Sequence, residues 1–506
     1  VSGWGGGYVT DVAYTAGFYS SQSQSVTALA ALLNGFAARP VRRDEDFHFA
    51  DIGCGQGVTA LIMAAANPGW RVTGLDFQPG HIAAAREMAR EAGIENITFI
   101  EADLRDFAET PECQRLEAFD AVSAHGVWTW VDESVQDGII RLLNAKLKPG
   151  GAFQLSYNTL TGWQSAVGLQ RLVREAGLRS AARSDTQAEA GFKIAQALEQ
   201  AGAVSYGTGF GKTMLEKLAD HPAAYVAHEF MNAHWRPVMQ ADVAARLAEA
   251  KLDFCGSCRL LNNFPQLILA QAQRDVLAQF DDPAMLELFK DICHPQPLRA
   301  DVFIRGPRRI DATARDAALT DIVIGLTAHP GSWTFAFEAA GAKAQMAEDF
   351  YRPIFERLAE KGPASLHELY ALPALRGRGR NPAELLGVTI GTDQAVAIPN
   401  PGAAMDARCA RLNAVLLRAQ FAVGQGGAPI HFAVPATGNG LTLPNFDGMI
   451  LHEIIDNPHE AAADMAARLA IHQDAEQRAA LDRKLRQFIA EDLPFLRHLG
   501  LHAQPI

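Results

Sequence analysis

A chain of 506 residues is too long for one hydrophobic core and is expected to divide into two to four domains. With 45 Lys+Arg against 57 Asp+Glu the net charge is −12, which excludes general binding to nucleic acid or to an anionic membrane surface. No apolar run approaches the roughly 18 residues of a membrane span, so no membrane insertion is expected; with no signal-peptide pattern at the start and six scattered cysteines, the chain reads as cytoplasmic.

Residues 1–40 form a leading segment. An aromatic-rich stretch from Tyr8 to Tyr19 precedes a helix expected over 25–37. Residues 41–160 then alternate strand and helix. Strands are expected at 47–52, 71–76, 96–101, 119–124 and 151–157, with helices at 58–66, 79–92 and 134–147. This rhythm predicts a parallel sheet covered by helices on both faces. Residues 161–240 read as a helical insertion, and 241–310 hold two further strands, 252–260 and 301–305, expected to complete the same sheet as an antiparallel pair. The last region, 311–506, reads as a C-terminal accessory domain. Its helices at 346–360, 364–370 and 381–386, followed by a hairpin over 388–399, suggest a winged-helix-like α/β unit. Arg376-Gly377-Arg378-Gly379-Arg380 beside it is a basic loop, but the acidity of the chain argues against nucleic acid as the partner. Cys255 and Cys258 form a lone C-x-x-C without a second ligand pair at zinc spacing, and no metal is expected.

The chemistry concentrates in residues 47–76. Strand 47–52 runs into Gly53-Cys54-Gly55-Gln56-Gly57, a helix follows, and the next strand ends in Asp76. The dinucleotide fingerprint G-x-G-x-x-G needs its third glycine where this chain has Val58. A pyrophosphate would also be repelled by Asp51, just before the loop, whereas a cationic ligand would be attracted. S-adenosylmethionine (SAM) carries a sulfonium, an amino acid and an adenosine, and Asp76 can accept hydrogen bonds from its ribose hydroxyls.

An acid followed by G-x-G-x-G, an acid at the second strand end, Asp103 after the third strand and Leu147-Lys148-Pro149-Gly150-Gly151 before the fifth resemble the class I SAM-dependent methyltransferases. The resemblance implies a Rossmann-like α/β fold with a seven-stranded sheet, and SAM as cofactor. It implies cofactor contacts at Tyr14, Tyr19, Asp51, Gly53, Gly55, Gly57, Asp76, Phe77, Asp103, Leu104 and His125. The acceptor side is expected at the ends of the fourth and fifth strands, with Trp128, Trp130 and Tyr157 as its contacts. His125 is read as a general base or orienting group and Tyr157 as an amine-orienting hydroxyl; plain structural roles stand beside both readings.

Four segments sharpen the resemblance. They are the aromatic leader, His125-Gly126, Tyr157-Asn158 with Gly162-Trp163, and the stretch Tyr225 to Pro237. Together they are similar to the methyltransferases with a "methyltransferase regulatory" region, which include rickettsial lysine methyltransferases acting on outer-membrane protein. The resemblance implies a protein lysine acceptor. A small-molecule O- or N-methyltransferase and a non-catalytic SAM-binding protein are the alternatives, and a homodimer is an open expectation.

Overall fold

The computed structural model describes residues 5–12, 17–180, 183–206, 209–217, 223–339, 342–422, 427–457, 459–469 and 475–501. Its centre is a seven-stranded sheet built from β1 (Phe47–Ile52), β2 (Trp70–Asp76), β3 (Ile97–Glu101), β4 (Phe119–Ala124), β5 (Leu147–Asn158), β6 (Leu252–Ser257) and β7 (Leu298–Arg305). Across the sheet the order is β3-β2-β1-β4-β5-β7-β6. The first five strands are parallel. β7 runs against β5, and β6 runs against β7. The two late strands therefore join the sheet as expected, but only β7 is reversed; β6 again follows the direction of the first five. The order of the strands turns between β1 and β4, which opens a crevice at their carboxyl ends.

The two faces of the sheet have different covers. One face buries Ile52, Leu75, Val122, Phe153 and Phe303 with Val135, Ile139 and Leu143 of the helix Glu133–Lys146. The other buries Phe49, Val72, Phe99 and Val302 under the helices Gln24–Leu33, Val58–Ala66 and Pro79–Ala92. Every residue of Val58–Ala66 is buried. A helix that is apolar all round needs a cover on its outer side as well, and residues 311–501 supply it. The helix Ala407–Ala422 and the hairpin Ile430–Val434/Asn439–Leu443 lie on it. Asn67 Nδ2 donates to the Gly438 carbonyl at 2.8 Å, and Arg43 pairs with Asp406 at 2.6 Å. The C-terminal region thus shares one continuous core with the sheet.

Within that region, Val323–Leu326 is the centre of a three-stranded sheet flanked by Ala364–Ser365 and Ala395–Ala397. The helices Glu348–Lys361, Leu366–Tyr370 and Pro382–Gly391 surround it in a winged-helix-like order. The expected hairpin over 388–399 is corrected. Val388-Thr389-Ile390 completes the helix Pro382–Gly391, because the apolar run has partners on all sides, and only 395–397 is strand. This helix is packed against Phe264, so tightly that a Cβ on Gly387 would sit 2.2 Å from the ring. No helix among the described residues is long and apolar enough to cross a membrane.

Between β5 and β6 the chain is helical, with Val167–Gly177, Ser184–Gln200, Gly209–Lys217, Ala223–Met231 and Gln240–Ala248 as its longer elements. They enclose a small core of their own around Leu169, Val173, Phe192 and Phe230.

Candidate active site

The cleft that the strand ends open is lined by the glycine loop, by residues after β2, β3 and β4, and by residues of two distant segments, Tyr8, Val9, Gly17 and Tyr19 from one and His228 and Asn232 from the other. Its open space, mouth included, is about 1340 Å³.

The loop explains its glycines. Gly53, Gly55 and Gly57 have φ of +66°, +55° and +77°, a region that other residues enter at a cost. A Cβ at Gly53 would strike Val127 at 2.4 Å and one at Gly57 would strike Phe99 at 2.6 Å, so these two are required by packing. A Cβ at Gly55 would meet nothing within 4 Å; this glycine lines the cleft and leaves its main chain open to a ligand. Asp76 ends β2 in the same wall. Its carboxylate accepts from Gly55 N at 2.8 Å and Gln78 N at 2.9 Å, with His81 Nδ1 at 3.3 Å. These bonds fix its orientation while its remaining lone pairs face the cleft-lining side. Phe77, Asp103 and Leu104 also line the cleft. Asp103 accepts from Arg105 N at 3.0 Å and pairs with the Arg105 guanidinium at 3.3 Å, so it also closes its own turn.

These residues suit SAM better than a dinucleotide. Arg105 is the one Lys or Arg among the described lining residues, and it is already paired with Asp103 and Asp132. No cation is left over for a pyrophosphate. The open backbone at Gly55 and the oriented carboxylate of Asp76 fit an amino acid and a ribose.

Four expectations need correction. Asp51 does not line the cleft. It is buried behind the loop, where Oδ1 accepts from Gln22 Nε2 at 2.7 Å and Ser123 Oγ at 2.9 Å. Burial pushes its carboxyl up to about 7. Its contact is with the residues beneath Tyr19, not with a ligand cation.

Tyr157 is fully buried on the opposite face of β5. Its hydroxyl donates to Asp301 Oδ2 at 2.5 Å, within a buried cluster in which Arg299 also holds Asp301, Asp291 and Glu287 at 2.8, 2.7 and 2.6 Å. Burial beside this acid raises its phenol well above the usual value. Strand alternation explains the miss: Ser156 and Asn158, not Tyr157, face the turn after β4, and Ser156 Oγ accepts from Gly126 N at 2.8 Å. Trp128 is likewise core, 2% exposed, while Trp130 two residues on lines the cleft.

His125 lines the cleft, but it is a weak base. Burial, with the Arg259 charge nearby, lowers its imidazole to about 4. Its ring stacks on Tyr19 with centroids 3.8 Å apart, and Nδ1 has no hydrogen-bond partner among the described residues. It is neutral at pH 7 and positioned by the stack. Tyr14 lies outside the described residues.

The four segments of the resemblance meet in one place. His228 Nε2 contacts the Val12 carbonyl at 2.9 Å, and Ala233 N donates to the Gly7 carbonyl at 3.0 Å. Tyr8 packs on Phe77 and His234, with ring centroids 5.2 and 4.9 Å away. Asn158 Oδ1 accepts from Thr129 Oγ1 and from Trp235 Nε1, each at 3.2 Å, and Trp163 packs edge-on to Trp235. Asn232 Nδ2 reaches the Trp130 carbonyl at 3.1 Å. Tyr8, His81, His228 and Asn232 were not singled out as cleft residues from the sequence. The helical spacing of 228 and 232 was the available signal for that pair.

A seven-stranded sheet with this order and this cleft defines a class I methyltransferase. The comparisons agree. A methyltransferase domain family matches residues 49–151, and a predicted methyltransferase regulatory domain matches 222–305. An uncharacterized protein of Synechocystis sp. is 31% identical over 367 residues, which is 72% of this chain and 71% of that protein. An uncharacterized protein of Rickettsia prowazekii is 35% identical over 125 residues, 25% of this chain and 46% of its own length. The structure of PKMT2 from Rickettsia typhi in complex with AdoHcy superposes with a TM-score of 0.68 at 17% identity, over 96% of this chain and 99% of that one. The chain is a SAM-dependent methyltransferase with a methyltransferase regulatory region, and it belongs to one family with the Synechocystis protein.

Proposed function

We propose that the acceptor is the side-chain amine of a protein lysine. The observation that carries this reading is the cleft wall beyond the cofactor residues. Tyr8, Tyr19 and Trp130 present aromatic surface there, and no unpaired Lys or Arg stands among the described lining residues. Such a wall favours a cation over an anion. The resemblance to rickettsial lysine methyltransferases points the same way, as does the fold likeness to PKMT2, which extends past the cofactor half to the whole chain.

In this reading Asp76 holds the ribose hydroxyls and Asp103 and Leu104 border the adenine. Gly53 and Gly55 leave main chain open to the amino-acid end. Tyr19, stacked on His125, covers the cofactor from above. SAM supplies a methyl group activated by its sulfonium. The chain supplies alignment of the acceptor nitrogen with that methyl and exclusion of water. We place the reaction in the cytoplasm, a setting that suits six free cysteines.

The test is to incubate the enzyme with a cell lysate and methyl-labelled SAM and to map the label by mass spectrometry. Methyl groups on lysine of one or a few proteins are expected. Label found only in small molecules would overturn the reading in favour of a small-molecule O- or N-methyltransferase. No labelled product, with SAM bound, would favour a non-catalytic binding protein.

A further inference from the structure

The helix Ala223–Met231 has two functional faces. Val226, Ala227, Phe230 and Met231 pack into the core of the helical insertion. Tyr225, His228, Glu229 and Asn232 fall at i, i+3, i+4 and i+7, a stripe that runs from Tyr225, at the edge of that core, to Asn232, just past the helix end. His228 and Asn232 line the cleft; Glu229 is their neighbour on the stripe and is not itself one of the lining residues. Glu229 is 8% exposed and has no hydrogen-bond or ion-pair partner among the described residues.

A buried carboxylate without a partner is costly, and folds keep one only where something else compensates. The elements packed against this helix offer no compensation. Val167–Gly177 presents Leu169, Val173 and Gln170, whose Nε2 donates to the Phe230 carbonyl at 2.9 Å. Ser184–Gln200 presents Ala188, Phe192 and Ala195. The residues 5–12 bring Val9 and the Val12 carbonyl, the latter to His228. The ionisable groups around it are Tyr225 and His228 on the same stripe and Tyr19 beyond Tyr225.

We propose that Glu229 is the amine-recognition group of the acceptor site: it receives the ammonium of the incoming lysine and takes one of its protons. The inference rests on the amine reading above. In the step, one N–H bond of the ammonium breaks and its proton binds a carboxylate oxygen. A neutral amine with a free lone pair and a carboxylic acid result, so charge and atoms balance. Burial helps from both sides, because a low-dielectric site lowers an ammonium pKa from its reference of about 10.4 and raises that of a carboxyl. Burial alone already holds the Glu229 carboxyl up at about 7. His125, near 4, is too weak a base for this task.

The experiment compares wild type, Glu229→Gln and Glu229→Asp by release of S-adenosylhomocysteine. The acceptors are an amine set, poly-L-lysine and N-acetyl-lysine amide, and an oxygen set, catechol and a dicarboxylic acid. Calorimetry of SAM binding and thermal melting run beside it. Glu229→Gln is isosteric and removes a buried charge, so it is expected to fold and to bind SAM within about twofold of wild type. For the amine set it should raise KM at least tenfold, lower kcat/KM by roughly 10²–10⁴-fold, and abolish the acidic limb of the wild-type pH profile near 7. Glu229→Asp should recover part of the loss. Amine turnover by Glu229→Gln with wild-type KM and pH profile overturns the assignment of Glu229 and leaves the amine reading standing. Wild-type turnover confined to the oxygen set, or none with the amine set, overturns the amine reading itself.

Discussion

The two ends of the cleft are built in different ways. The cofactor end comes from short sequence distances, with Gly53–Gly57, Asp76–His81 and Asp103–Arg105 each following a strand of one parallel run. The end assigned to the acceptor is assembled from four segments dispersed along the chain: Tyr8 and Val12 with Tyr19, His125 to Trp130, Asn158 to Trp163 and Tyr225 to Trp235. The local end is set by glycine conformation and strand-end acids. The remote end exists only when the whole fold is formed. Chemistry common to a class can sit in the first kind of structure, and selectivity in the second.

The comparison can be broken most severely by deleting residues 311–501. These bury the outer side of Val58–Ala66, the helix that the cofactor loop opens. Each large apolar side chain uncovered costs about 1.5–3 kcal/mol, and several exceed a typical total stability of about 5–15 kcal/mol. The fragment 1–310 should be aggregated or without a cooperative melt by circular dichroism and sedimentation. A soluble, cooperatively melting fragment would contradict the shared core.

Asp76→Ala separates the two ends. It removes charge-assisted acceptors for the ribose and should cost about 2–4 kcal/mol of SAM binding by calorimetry; the Gly55 and Gln78 amides also lose their acceptor, so the unliganded melting temperature should fall while the acceptor segments stay in place. Unchanged affinity in the folded variant would remove Asp76 from the cofactor site.

Asp51→Asn probes the joint beneath Tyr19 through pH. The folded carboxyl titrates at about 7 against 3.8 for its ordinary value. The native state therefore holds this proton more tightly, and the group's stabilisation is full below about pH 4 and is lost as pH rises toward 7. Asn, which can keep both hydrogen bonds as an acceptor, removes that slope. Denaturant titration should find the variant more stable than wild type at pH 8 by about 1–3 kcal/mol, with the difference shrinking toward pH 4. An equal difference at both pH values would contradict the burial.

The smallest effect is expected from Tyr157→Phe. Losing the hydrogen bond to Asp301 should cost about 1–3 kcal/mol of stability, because an acceptor is left short. Turnover per folded molecule should be unchanged. A large fall in kcat without loss of stability would return Tyr157 to the active site.

The sequence by itself determined the cofactor half. Gly53, Gly55 and Gly57 sit between a buried strand and a buried helix, and only glycine accepts positive φ and close packing there at low cost. The strands Phe47–Ile52 and Phe119–Ala124 and the helices Val58–Ala66 and Pro79–Ala92 lie where their apolar periods put them, because those periods are local. The all-apolar helix Val58–Ala66 even signalled a second cover, though not which residues form it. Tertiary structure decided the rest. Whether Tyr157 or Asn158 faces the turn after β4 turns on one residue of strand parity, and the parity of β5 is set by its pairing with β4 and with β7, whose Phe303 stands opposite Phe153 across about 150 residues of chain. Asp51, an acid beside a cofactor loop in sequence, becomes a buried anchor because Gln22 and Ser123 reach it from two other elements. Glu229 carries no signal in a helix of mixed residues. Its meaning comes from what surrounds it once the helix is docked: an apolar core on one side, the cleft-lining His228 and Asn232 as its neighbours, and no partner of its own among the described residues.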